Sequence, residues 1–211
     1  MPGLVTFPAE LAALAASVKG FMPPGEGLAL HAATQHYVQG GLAVEIGSYC
    51  GKSTIYLGHA ASLSGGHVVT IDHHRGSEEH QAGWDYHDPD LVGADGRIDT
   101  LPALRRTLAA AGLESVVTPL VGRSRDVARW WRMPVELVFV DGGHTDEHAQ
   151  NDYRGWAPWV RLGGALVIHD VFPDPADGGQ APYRIYRDAL GSGEFVEASA
   201  TGSLRVLERV R

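Results

Sequence analysis

Glu45-Ile46-Gly47-Ser48-Tyr49-Cys50-Gly51-Lys52-Ser53 is the stretch on which the reading of this chain turns. It joins an apolar run, Leu42 to Ile46, to a segment patterned as a helix from Ser53 to Ser62. Glycines between a strand and a helix let the chain turn sharply and let a ligand approach the backbone where the helix begins. A phosphate-binding P-loop needs four residues between its first glycine and Gly-Lys-Ser, and only Ser48, Tyr49 and Cys50 stand there. The dinucleotide fingerprint G-x-G-x-x-G fails as well, because position 49 is tyrosine. What remains is acid-x-Gly-x-x-x-Gly-x-Ser, a turn suited to a cationic ligand without phosphates. Glu45 offers a carboxylate to an ammonium group, Gly47 and Gly51 keep the floor clear, and Ser48 and Ser53 supply hydroxyls.

Working outward, short apolar strands alternate with helices. Strands are expected at Leu42 to Ile46, His67 to Ile71, Val116 to Val121, Leu137 to Val140 and Ala165 to Ile168. Helices are expected at Ser53 to Ser62, Thr100 to Ala111, Asp126 to Trp131, Thr145 to Trp156 and Tyr183 to Leu190. Strands apolar on both faces, alternating with helices, mean a parallel sheet covered on both sides. Phe195 to Ser199 and Leu204 to Leu207 close the chain without a helix between them, so one strand should run antiparallel. The expected fold is therefore α/β, a doubly wound, mostly parallel seven-stranded sheet. Two N-terminal helices precede it, Pro8 to Lys19 and about Gly27 to Val38. Residues 1–211 read as one domain, with 1–40 a helical cap or dimer segment and 41–211 the ligand-binding core.

Two further strand ends carry chemistry. His67 to Ile71 runs into Asp72, roughly 20 residues beyond the glycine turn, where a carboxylate accepts hydrogen bonds from a ribose diol. A turn cap is the plainer role for Asp72. The fourth strand delivers Asp141-Gly142-Gly143-His144-Thr145 and the fifth His169-Asp170. Both lie at carboxyl ends of central strands, where open α/β sheets bind ligands. Asp141 and Asp170 facing one crevice suit a magnesium ion, which takes hard oxygen ligands and keeps water. His169 is either a third ligand or a support for Asp170, since imidazole suits transition metals better. His144, titrating near neutrality beside those acids, is the expected general base; a helix-cap position is the bland alternative.

Together Glu45 to Ser53, Asp72, Asp141-Gly142-Gly143-His144 and His169-Asp170 resemble class I methyltransferases. Within them they resemble the group of macrocin-type sugar O-methyltransferases. The resemblance runs from about Leu42 to Leu190, and Asp-Gly-Gly-His-Thr is its most specific part. It implies transfer of a methyl group from S-adenosylmethionine to a sugar hydroxyl, dependence on Mg2+, and a homodimer. Its narrowest implication is the 1-hydroxyl of a short methylmannose oligosaccharide, in polysaccharide biosynthesis. A catechol-like or other small natural-product hydroxyl is the alternative acceptor, and a non-enzymatic cofactor-binding module the alternative class. In this fold Ser124, following Gly122-Arg123, borders the adenine ring, although a helix N-cap is an equal reading. Asp141 and Asp170 match metal-binding acids of the family and His144 falls near its base. The chain departs from relatives that carry two adjacent acids at positions 169–170 and an acid near Gly143.

Composition sets the outer bounds. At 211 residues with 44% hydrophobic and 20% charged, the chain fits one ordinary α/β domain. A net charge of -8 argues against a nucleic-acid partner. No basic-then-apolar leader and no run of membrane-spanning length is present, which points to a cytoplasmic enzyme with no membrane partner. Cys50 is the one cysteine, so no internal disulfide forms. The segment His73 to Asp99 is expected to be a polar lid, with Trp84 and Tyr86 placed to stack on a sugar and Glu78 or Glu79 to bond its hydroxyls. Trp130, Trp131, Trp156 and Trp159 are expected to pack helices onto the sheet. Tyr183, Arg184 and Arg187 stand either at the acceptor or on a solvated helix face.

Overall fold

Strand residues rich in Val, Ile and Leu set the sheet, and the computed structural model, which describes residues 5–77, 83, 87–143 and 145–211, shows seven of them paired. They are β1 (Leu42–Ile46), β2 (His67–Asp72), β3 (Val117–Val121), β4 (Val135–Val140), β5 (Val160–Ile168), β6 (Phe195–Thr201) and β7 (Leu204–Arg209). Their order is β3-β2-β1-β4-β5-β7-β6. Pairings from β3 through β5 are parallel, while β7 is antiparallel to both β5 and β6. The helix-free hairpin thus inserts its returning strand between β5 and β6.

Side-chain alternation along the strands divides the core. Phe139 faces one layer with Leu30, Ile55, Leu57 and Leu104, while Val138 and Val140 face the other with Trp131, Trp156 and Ile185. The first layer belongs to α2 (Pro24–Tyr37), α3 (Lys52–Ser62) and α4 (Leu101–Ala110), with α1 (Ala9–Ser17) packed at its margin. The second belongs to α5 (Ser124–Ala128), α6 (Asp146–Trp156) and α7 (Ala181–Gly191). Truncating a fully buried side chain such as Phe139 to alanine costs about 3–5 kcal/mol at a site that cannot collapse. Among the described residues no helix is long and apolar enough to cross a membrane.

Several boundaries differ from expectation for identifiable reasons. α2 begins at Pro24, not near Gly27, because proline at the first helical position gives up an N–H that no helix partner would meet. α5 spans Ser124–Ala128 rather than Asp126 to Trp131, leaving Trp130 58% exposed instead of packed on the sheet. Trp131 and Trp156 are buried and Trp159 is partly so, as expected. β5 begins five residues earlier than its apolar run, through Arg161, Leu162 and Gly163, whose outward exposure hides the strand from periodicity. Leu30, Ala33 and Tyr37 of α2, with Val38 at its C-cap, enter the main core.

Candidate functional site

Every parallel strand points its carboxyl end at one side of the sheet, and the loops there surround an open cleft of about 1060 Å3. That exceeds the roughly 300–1,000 Å3 of a pocket for one small ligand. The glycine turn forms part of the floor. Gly47 has φ +88°, and a Cβ there would come within 2.1 Å of the Asp141 carbonyl oxygen, so only glycine lets β1 and β4 loops approach this closely. Gly51, at φ +93°, caps α3.

Asp72 binds this turn from the neighbouring strand. Its Oδ2 accepts the N–H groups of Ser48 (3.2 Å) and Tyr49 (2.9 Å), and Oδ1 accepts that of His74 (2.7 Å). These bonds hold Tyr49 at φ +46°, an uncommon backbone state for a side chain of this size. Asp72 also lines the cleft. Ser48 is 2% exposed, lines the cleft, and its hydroxyl meets no hydrogen-bond partner among the described residues. Glu45 behaves otherwise than expected. It is fully buried, off the cleft wall, and accepts the hydroxyls of Ser53 (2.6 Å) and Thr54 (2.7 Å). Burial pushes its carboxyl up to about 7. In place of the direct ammonium contact, Glu45 braces the turn against α3, and Ser53 spends its hydroxyl there.

Past β3, Arg123 takes the N-cap and Ser124 begins α5, so Ser124 is not the cap. Its hydroxyl donates to Asp152, a 3% exposed acid on α6. Both line the cleft beside Gly142 and Gly143. The sequence carried a signal for Asp152 that the reading passed over, a lone acid on the apolar face that α6 presents through Ala149 and Trp156.

Asp141, His169 and Asp170 each place a ligand-type atom within 4.8 Å of the others'. Asp170 sits at φ +57°, a turn that swings its carboxylate to the cleft. His169 is buried, with Nδ1 2.9 Å from Asp141 Oδ1 and 3.5 Å from Asp170 Oδ2, and Nε2 2.6 Å from Glu26 Oε2. Burial alone would lower its pKa, but Asp141, Asp170 and Glu26 together carry it up to about 12. Both ring nitrogens thus stand within hydrogen-bond reach of a carboxylate. Asp141, His169 and Asp170 together are the candidate group for a cation, with His169 either a third ligand or, through its contacts with Asp141 and Glu26, a support for the acids.

Glu26 escaped the sequence reading. An acid in a helix's first turn is ordinary, so nothing marked it. It is 6% exposed and also accepts the N–H of Ser203 at 2.6 Å. Burial raises its carboxyl, but His169 and Ser203 outweigh that and hold it below the usual range. His148 was missed as well; it lines the cleft, and its ring lies against Gly143. His144, Glu78, Glu79, Trp84 and Tyr86 lie outside the described residues. Arg184 pairs with Asp146 at 2.6 Å and Arg187 bonds the Tyr183 hydroxyl, all away from the cleft wall.

A family model described as "Methyltransferase domain" matches residues 44–171. Solved structures of the same fold include the O-methyltransferase TomG of Streptomyces achromogenes, involved in tomaymycin synthesis and solved with SAM. It is 18% identical, with 99% of this chain and 92% of that one covered and a TM-score of 0.65. An O-methyltransferase of Bacillus cereus in complex with SAH is 20% identical, with 98% and 93% covered and a TM-score of 0.63. The SAH-bound methyltransferase PaMTH1 of Podospora anserina is 13% identical, with 97% and 89% covered and a TM-score of 0.68.

Proposed function

Since this chain belongs to the methyltransferase-domain family, we propose that it moves a methyl group from S-adenosylmethionine to a hydroxyl oxygen of a sugar, with Mg2+ as cofactor. The observation that carries this reading is a single cleft joining the glycine turn and its unpartnered Ser48 hydroxyl to Asp141 and Asp170. The residues fit the cofactor. Asp72 stands at the wall for a ribose diol, Ser48 holds a buried donor in reserve, and the backbone of Gly47 and Gly51 leaves the floor open. When bound, S-adenosylmethionine would supply an activated methyl group on a sulfonium, with a neutral thioether as the leaving group.

Asp141 and Asp170 would hold the metal, with His169 compensating their charge from beneath. A magnesium ion held by these residues would supply Lewis-acid activation of the acceptor hydroxyl. The chain's remaining task is alignment of oxygen, carbon and sulfur, and removal of the hydroxyl proton. His144 is proposed as the base that takes it; its place in the chain between Asp141 and α6 supports the assignment. Residues Lys19 to Met22 of the N-terminal segment line the cleft and would shield it from water. Exposed Val5 and Leu28 on that segment suit it to a contact in a homodimer.

The test is calorimetry with S-adenosylhomocysteine, followed by a short methylated-mannose oligosaccharide with magnesium or with chelator. Cofactor binding and then magnesium-dependent sugar binding is the expected result. Cofactor binding with no sugar signal moves the acceptor to a small natural-product hydroxyl, a class favoured by the likeness to TomG, and an acceptor panel identifies it. No cofactor binding removes the proposal.

A further inference from the structure

Asp152 stands on the cleft wall without a part in the chemistry above. It lies on the buried face of α6 and is 3% exposed. Its Oδ1 accepts the Ser124 hydroxyl, while no donor meets Oδ2 among the described residues. Burial pushes the carboxyl up to about 6, so it is largely ionised at neutral pH. A Cβ on Gly142 would come within 2.8 Å of Oδ2, so glycine at that position opens the path between the carboxylate and the cleft. A carboxylate oxygen at the cleft wall that no donor among the described residues occupies is open to a ligand's N–H.

The position of the other groups says which ligand atom that is. With the ribose at Asp72 and the sulfonium end over the glycine turn, the base must extend to the loops that follow β3 and β4. Gly122, Ser124 and Gly142 form that part of the wall. The geometry points to Asp152 as the residue that recognises the adenine ring, its Oδ2 accepting from the exocyclic amine. This rests on the S-adenosylmethionine reading above. Ser124, whose hydroxyl hydrogen is committed to Asp152, is a positioning residue that orients the carboxylate rather than the donor to adenine. Adenine presents an N–H donor at this edge, whereas a 6-oxo purine presents a lone pair. A carboxylate that only accepts attracts the first and repels the second.

The experiment compares binding of S-adenosylhomocysteine and its 6-oxo analogue S-inosylhomocysteine to the full chain by calorimetry, in wild type and in Asp152→Asn. Wild type is expected to prefer the adenine ligand by about 10- to 100-fold, the range set by one unpaired buried polar group. Asp152→Asn, whose amide can donate to the 6-oxo group, is expected to erase or reverse that preference. Equal binding of both ligands by the wild type overturns the assignment whether or not the variant folds. So does a variant that loses affinity for both ligands in the same proportion, the mark of a purely structural Ser124–Asp152 tie. A wild type that binds neither ligand overturns the cofactor reading itself, and this assignment with it.

Discussion

Glu26 Oε2 lies 2.6 Å from His169 Nε2, joining the first turn of α2 to the end of β5 across 143 residues of chain. On the other side of the ring Asp141 stands 2.9 Å from Nδ1. Carboxylate, imidazolium and carboxylate thus alternate through the floor of the site, and the outermost acid is the one at the cleft. Buried charges persist only when paired, so each member of this row fixes the ionisation of the next. An N-terminal helix is in this way tied electrostatically to an acid proposed to hold metal.

Removing Glu26 should therefore be costly. Glu26→Ala leaves a buried imidazolium facing one fewer anion, and breaking such a pair costs about 3–5 kcal/mol of stability. Glu26→Gln keeps an acceptor toward His169 and Ser203 and should cost distinctly less. Urea melts of both variants check this. A loss below about 1 kcal/mol for the alanine variant, the value of an exposed pair, would show that the contact contributes nothing beyond a surface bridge.

The same row shows where sequence reading stops. The seven strands, the antiparallel member of the final pair and the glycine turn were legible because they rest on local patterns: apolar runs, helical spacing, a helix-free final pair. Asp72, Asp141 and Asp170 were legible because each ends such a strand. Glu26 was not, since its partner is set by tertiary packing and its own surroundings, Pro24-Gly25-Glu26-Gly27, read as an ordinary helix start. Glu45 was placed on the right turn but given the wrong facing. One residue of strand alternation decides whether a side chain meets the ligand or the helix behind it. Ser124 was read as cap or ligand contact, and the acid that takes its hydroxyl lies on a helix two elements later.

A pH effect follows from the opposite face. His31 is buried, 2.8 Å from His59 and against Phe7, and burial first, then His59, lower its pKa to about 4. The neutral ring is the folded form. Between about 6.5 and 4 the unfolded chain binds a proton that the folded one refuses, so this residue's contribution is present above 6.5 and is lost as pH falls toward 4. His31→Asn should lose less stability than wild type between pH 7.5 and 5, by about 2 kcal/mol. Paired denaturant titrations at the two pH values measure it, and parallel losses would refute the buried-neutral assignment.

Asp170→Asn isolates the metal. Asparagine tolerates the left-handed conformation at φ +57°, so the backbone has no reason to move, and Asp141 and Glu26 still flank His169. The variant should keep wild-type stability and S-adenosylhomocysteine affinity while magnesium affinity falls by about tenfold or more, the loss of one charged ligand in a two-acid site. Calorimetric titration with magnesium reads this directly. Unchanged magnesium affinity would take Asp170 out of the ligand set.

Ser48 gives effects of opposite sign on folding and on binding. Its hydroxyl is buried with no partner among the described residues, so it costs the empty protein the desolvation of a polar group. Ser48→Ala removes that cost without creating a cavity larger than one oxygen. Stability should be unchanged or raised by up to about 1 kcal/mol, because deleting an unsatisfied group recovers its penalty. If the hydroxyl is held in reserve for the cofactor, affinity for S-adenosylhomocysteine should fall by about 5- to 10-fold, the value of one neutral hydrogen bond. Thermal melts and calorimetry on the same sample separate the two effects. A variant that is less stable shows that the hydroxyl already has a partner in solution. A variant that binds as tightly as wild type shows that the cofactor does not use it, and the contact must then be sought at the backbone of Gly47 and Gly51.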